Sequence, residues 1–139
     1  MNKMMQTYQG TIYPWHCDHM GHMNVMHYVG KFDEATWHFF SQVGISSKKM
    51  RDENQGLVAV EQNLKYKREL LAGDIIIIRS KIIDLGDKSL TFAHEMFDAE
   101  TGDLCATAQF TGLYFDKEAR KALSFPEAIR QTIEGLLKE

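Results

Sequence analysis

The feature that most constrains this chain is the nineteen-residue segment Val25 to Val43. In it Val25, Tyr28, Val29, Phe32, Ala35, Thr36, Phe39, Phe40 and Val43 recur at i, i+3 and i+4 spacing. The segment starts after Asn24, a residue suited to capping a helix N-terminus, and stops at Gly44, which suits the left-handed position that ends one. Nineteen residues at about 1.5 Å rise predict a helix roughly 28 Å long. Aromatic residues on several of its faces predict that most of its circumference is buried. A helix this apolar needs a sheet around it.

Such a sheet is legible downstream. After a polar connection, Ser46 to Gln55, four strand-like segments follow with no helix between them: Leu57 to Arg68, Asp74 to Leu85, Ser89 to Phe97, and Leu104 to Phe115. "DLGDK" and "AETGD" read as hairpin turns. Leu90, Phe92, His94 and Met96 share one face, which makes His94 a buried, hydrogen-bonded histidine. Leu104, Ala106, Ala108, Phe110, Gly112 and Tyr114 share another, its small residues leaving room for the long helix. Met5 to Tyr13 predicts a first strand that Pro14 ends for want of an N–H. Ser124 and Glu127 make a capping box before a C-terminal helix whose apolar stripe is Ile129, Ile133, Leu136 and Leu137. The order predicts an α+β hotdog fold, an antiparallel sheet of about five strands wrapped around one long central helix, as a single domain over residues 1–139.

Composition narrows the function. With 139 residues, 44% apolar and 25% charged, the chain reads as soluble and globular, and a net charge of −3 argues against a nucleic-acid partner. "MNKMMQTYQG" lacks the pattern of a secretory leader and "IIII" at Ile75 to Ile78 is too short to span a bilayer, so the expected location is cytoplasmic with no membrane partner. Cys17 and Cys105, 88 positions apart with no CxxC spacing, read as free thiols.

The decapeptide "WHCDHMGHMN", Trp15 to Asn24, concentrates reactive side chains in one loop. His16, His19 and His22 fall three apart, and with Cys17, Asp18 and His27 they are of the right types for a zinc or iron site. Their spacing matches no familiar ligand signature, and the expectation is no metal. His22 and His19 are expected to hold the loop or line a pocket, Asn24 to cap the helix, and Cys17 to pack as a thiol.

Asp18-His-Met-Gly-His-Met-Asn24, Tyr28, and then Asp33-Glu34-Ala35 resemble the loop and helix start of the 4-hydroxybenzoyl-CoA thioesterase-like family. "YKRELLAGD" at Tyr66, "SLTF" at Ser89, "TGDLCATA" at Thr101, and Phe115-Asp116 before Pro126 agree with it along essentially the whole chain. The resemblance implies an acyl-CoA thioesterase that yields a carboxylic acid and free CoA without a cofactor. It implies Asp18 as general base or nucleophile and the backbone N–H of Val25 as donor to the thioester carbonyl. Many members carry an acid two positions before the catalytic one, where this chain has His16. Other hotdog thioesterases carry the carboxylate within the helix, which makes Asp33 or Glu34 the competitor.

The chemistry is consistent with that assignment. Thioester hydrolysis needs an activated nucleophile and a partner for the charge growing on the carbonyl oxygen, and the first turn of a helix has N–H groups to spare. Lys65, Lys67 and Arg68 offer partners for the phosphates of CoA. Trp15, Trp37, Tyr28 and Phe32 shape an aromatic or cation-accepting pocket, or else belong to the core. The family implies a homodimer or homotetramer with sites between subunits, and an exposed sheet edge favours such pairing. A hotdog hydratase or dehydratase acting on enoyl thioesters and a non-catalytic acyl-CoA binding module are the alternatives, which release of free thiol separates.

Overall fold

The computed structural model describes residues 4–138. Strand β1 (Met5–Thr11) leads through a single 3-10 turn (Pro14–His16) and a tight loop into α1 (Val25–Gln42) and the short α2 (Ser47–Glu53). Then come β2 (Gln55–Tyr66), β3 (Ile75–Leu85), β4 (Ser89–Asp98), β5 (Leu104–Asp116), the two-residue β6 (Lys121–Ala122) and α3 (Glu127–Leu137). The strands lie in the order β1-β3-β4-β5-β2, with β6 added to β5, and every pairing is antiparallel. This is the hotdog arrangement of one curled sheet and one long helix.

Alternation does what the sequence requires of it. Along β4, Leu90, Phe92, His94 and Met96 are buried and their neighbours are not; along β5, Ala106, Ala108, Phe110, Gly112 and Tyr114 are buried. Tyr28, Phe32, Ala35, Phe39 and Phe40 of α1 meet this surface. Gly112 makes room for a different neighbour from the one expected, because a Cβ there would lie 2.9 Å from Leu57 Cδ2 on β2. Asn24 caps α1 by accepting the Met26 N–H at 2.9 Å, a contact typically worth about 1 kcal/mol. Past its end, Gly44 takes the left-handed φ of 91°.

Three expectations need correction. Burial does not extend around most of α1: Val25 is 56% exposed, and Met26 and Trp37 also face outward. Lys31, by contrast, is buried and donates to the Tyr8 hydroxyl at 3.0 Å. The connection from Ser46 to Gln55 holds α2, which Ser46 caps and which buries only Met50, too little for periodicity to register. Ser124 forms no capping box, because Pro126 starts α3 and the Ser124 hydroxyl donates to Asp87 at 2.9 Å instead.

His94 is fully buried and satisfied. Thr36 donates its hydroxyl to the Phe32 carbonyl at 2.9 Å, so at 2.8 Å it accepts from His94 Nε2–H. Nδ1 then accepts from Ser80, 2.5 Å away, which in turn accepts from Thr7 at 2.8 Å. One directed chain of hydrogen bonds thus joins β1, β3, β4 and α1. Burial pushes the His94 pKa down to about 3, so the ring is neutral.

Candidate active site

The loop before α1 is folded on itself by backbone contacts. Asp18 N–H donates to the His22 carbonyl at 3.1 Å and Gly21 N–H to the Asp18 carbonyl at 3.0 Å, a turn that needs the positive φ of Gly21, 84°. Cys17 and Met23 form an isolated antiparallel bridge, and Met23 N–H reaches the Leu70 carbonyl at 2.8 Å. The thiol of Cys17 packs against the core.

These contacts aim the Asp18 carboxylate back at the helix. Oδ1 accepts the Met20 N–H at 2.9 Å, and Oδ2 accepts the side-chain amide of Asn24 at 2.8 Å. The same Asn24 caps α1 through its oxygen, so one amide joins the carboxylate to the helix N-terminus. The Asn24 hydrogen bond, then the Met20 N–H, and more weakly the charges of His22 and His19, hold the Asp18 carboxyl below the usual aspartate range against a small opposing effect of burial. Val25 N–H is the first of the helix and has no intrahelical acceptor.

Two depressions meet α1. A cleft of about 330 Å³ lies at its N-terminus, lined by His22, Met23, Val25, Tyr28 and the segment from Tyr66 to Glu69. His22 Nδ1–H donates to the Met23 carbonyl at 3.2 Å, leaving Nε2 toward Glu69, 3.9 Å away. Tyr28 donates to the Arg68 carbonyl at 3.3 Å, and burial first among several causes raises its phenol to about 12. A second, apolar groove of about 200 Å³ runs along α1 beside β2 and includes Val29, Asp33, Trp37 and Phe40.

The expected site residues therefore divide. Asp18 and Asn24 are bonded to each other, while Val25, His22, Tyr28, Lys67 and Arg68 share the cleft. His19 is exposed outside it. Lys65 lies on a separate polar depression with Lys81 and Glu95, so the basic cluster is split by strand alternation. Arg68 pairs with Asp103. Asp33 lines the groove and accepts the Trp37 indole N–H at 3.3 Å; Glu34 is exposed, and its charge acts on His16. His16 uses Nδ1 to accept the Tyr13 N–H at 2.9 Å and has its pKa lowered by burial, then by Lys31 and His27. Trp15 stacks on Tyr13 in the open. Phe32 is core, stacked on His94. Among the described residues no group of three or more His, Cys, Asp or Glu side chains is arranged to hold a metal ion. Tyr66 and Glu69 also line the cleft, and periodicity carries no signal for them, because Tyr66 is the last residue of β2 and Glu69 lies in the irregular segment beyond it.

Residues 12–133 match the model of the thioesterase-like superfamily. The chain belongs to that superfamily. It is a thioester hydrolase by family, and acyl-CoA thioester hydrolysis is the activity the family supports. Over 134 residues it is 28% identical to the long-chain acyl-CoA thioesterase FadM of Escherichia coli, covering 96% of this thioesterase and all of FadM. A betainyl-CoA thioesterase of Pseudomonas aeruginosa is 21% identical over 98% of this chain and 86% of its own. A Staphylococcus aureus protein solved with CoA superposes with a TM-score of 0.91 at 22% identity, covering 99% of this chain and 86% of the other. No helix among the described residues is long and apolar enough to cross a membrane.

Proposed function

We propose that this chain hydrolyses an acyl-CoA thioester at the N-terminus of α1, with Asp18 as the catalytic carboxylate. The observation that carries the reading is the Asn24 side chain, which donates to Asp18 and caps the helix at once. It ties a carboxylate that is ionised at neutral pH to the helix end where free N–H groups gather.

In this scheme the thioester carbonyl oxygen accepts from Val25 N–H, which stabilises the charge that grows as the carbonyl carbon is attacked. Asp18 either takes a proton from the attacking water or attacks the carbon itself. The C–S bond then breaks and the thiolate leaves as CoA, protonated by the Asp18 acid on the first route or by solvent on the second, where water then hydrolyses the acyl–Asp18 anhydride and restores the carboxylate. One water is consumed, and a carboxylic acid and a thiol result. The cleft beside Tyr66 to Glu69 suits the CoA arm, with Lys67 available to a phosphate and Arg68 available only by leaving Asp103.

A second reading has its own support. Asp33 lies two turns after Val25 in the groove, the placement a helix-borne carboxylate would need, although the Trp37 indole occupies one of its oxygens.

The test is release of free thiol from a panel of acyl-CoA esters, followed with a thiol reagent. Turnover with stoichiometric thiol is the expected result. Hydration of an enoyl-CoA without thiol release, or tight binding without turnover, would refute it.

A further inference from the structure

We infer that Asp103 sets the affinity for CoA by competing with a CoA phosphate for the Arg68 guanidinium. This rests on the reading that seats the CoA arm beside Tyr66 to Glu69. Arg68 is fixed at its backbone and can move only at its side chain. Its N–H and that of Lys67 both donate to the Cys105 carbonyl, at 3.1 and 2.8 Å, and its own carbonyl accepts the Tyr28 hydroxyl at 3.3 Å. The wall of the cleft therefore keeps its place while the guanidinium, paired with Asp103, exchanges partners.

Asp103 is held in turn by the hairpin between β4 and β5. Asp98 Oδ1 accepts the N–H groups of Glu100 and Thr101 at 2.9 and 3.1 Å, and the Asp103 N–H donates to the Thr101 hydroxyl at 3.2 Å. Gly102 takes a left-handed φ of 79° and donates to the Asp98 carbonyl at 2.8 Å. A well-bonded turn thus presents one carboxylate to the guanidinium. The two side chains are 47% and 51% exposed, so water and salt screen the pair and little free energy opposes its exchange. A phosphate offers the same planar fork a bidentate contact with more charge. Thioester and product CoA carry the same phosphates, so Asp103 weakens the binding of both alike and favours departure of CoA after hydrolysis.

The experiment measures binding of CoA and of 3′-dephospho-CoA by calorimetry at low ionic strength, with kcat and KM by thiol release for the best ester of the panel. It compares the wild type, Asp103→Asn, Asp103→Glu, Arg68→Gln and the double variant Asp103→Asn with Arg68→Gln. Asp103→Asn leaves the backbone contacts of the turn in place, and a held melting temperature checks that. We expect Asp103→Asn to bind CoA about two- to fivefold more tightly, the range an exposed ion pair gives, and to lower KM without raising kcat. Asp103→Glu should behave as the wild type, and Asp103→Asn should change nothing once Arg68 is Gln. A gain that vanishes with 3′-dephospho-CoA assigns the guanidinium to the 3′-phosphate, and a gain that survives assigns it to the pyrophosphate. Unchanged affinity in Asp103→Asn, or a gain that persists in the Arg68→Gln background, overturns the inference and leaves hydrolysis standing. Absence of both CoA binding and thiol release overturns the reading beneath it.

Discussion

At the scale of single residues the account turns on Asn24, whose amide does two separable jobs. Asn24→Asp keeps an oxygen for the Met26 N–H and so keeps the cap, but it loses the donor to Asp18 and sets a second carboxylate beside it. The Asn24 hydrogen bond is the largest cause of the lowered Asp18 pKa, so its loss raises that pKa. The proposed mechanism requires ionised Asp18. In the wild type activity should therefore persist as pH falls through the ordinary aspartate range, and in Asn24→Asp the acid limb of the kcat/KM profile should move to higher pH while the melting temperature holds. His22 and His19 also favour the ionised form, so double replacement by Gln should move the limb the same way by less. An unmoved limb in Asn24→Asp would show that the amide only caps the helix.

At the scale of elements, periodicity made α1 and β3 to β5 readable because each buries one face, and the sequence bounds of those strands differ from the observed ones by a residue or so, whereas β2, none of whose residues is fully buried, is shifted by two. What escaped has local physical reasons. The seven residues of α2 bury a single methionine, and β6 is two residues long. Side-chain partnerships leave no period at all, which is why Lys31 against Tyr8 and the chain Thr7, Ser80, His94, Thr36 went unread, although His94 itself was expected to be buried. The proposed site was legible only as a list of residues; that Asp18 is bonded to Asn24, and Asn24 to the first turn of α1, required coordinates. The split of Lys65 from Lys67 and Arg68, and the two depressions along α1, required coordinates. The His94 chain has a measurable consequence. Its folded pKa, about 3, lies below the ordinary histidine value of 6.5, and Thr36, Ser80 and aromatic rings surround it with no carboxylate to stabilise a charge. The unfolded chain binds the proton more readily between those values, so this contribution is fully present above about pH 6.5 and is lost as pH falls toward 3, by up to about 1.4 kcal/mol per pH unit. Urea denaturation of wild type and His94→Gln from pH 7 to pH 4 should show the wild type's advantage shrinking with acid. A constant difference would contradict the assignment.

At the scale of the whole molecule, β2 is a twelve-residue edge strand with Val58 and Val60 exposed, and α1 leaves Val25, Met26 and Trp37 uncovered. An open edge beside uncovered apolar residues is an invitation to symmetric pairing, and light scattering should give a multiple of 16.0 kDa. An active monomer would argue against it. Chelation of the untagged protein should leave turnover intact, since the proposed chemistry uses a carboxylate and a backbone N–H; loss on chelation with recovery on adding metal back would contradict that. The most direct measurement is thiol release by the intact chain carrying Asp18→Asn, beside Asp33→Asn and Glu34→Gln. General acid–base assistance is typically worth 10²–10⁴-fold, so Asp18→Asn should lose at least about a hundredfold in kcat with its melting temperature held, while the helix variants keep most of theirs. Activity retained in Asp18→Asn and lost in Asp33→Asn would move the chemistry from the loop to the groove.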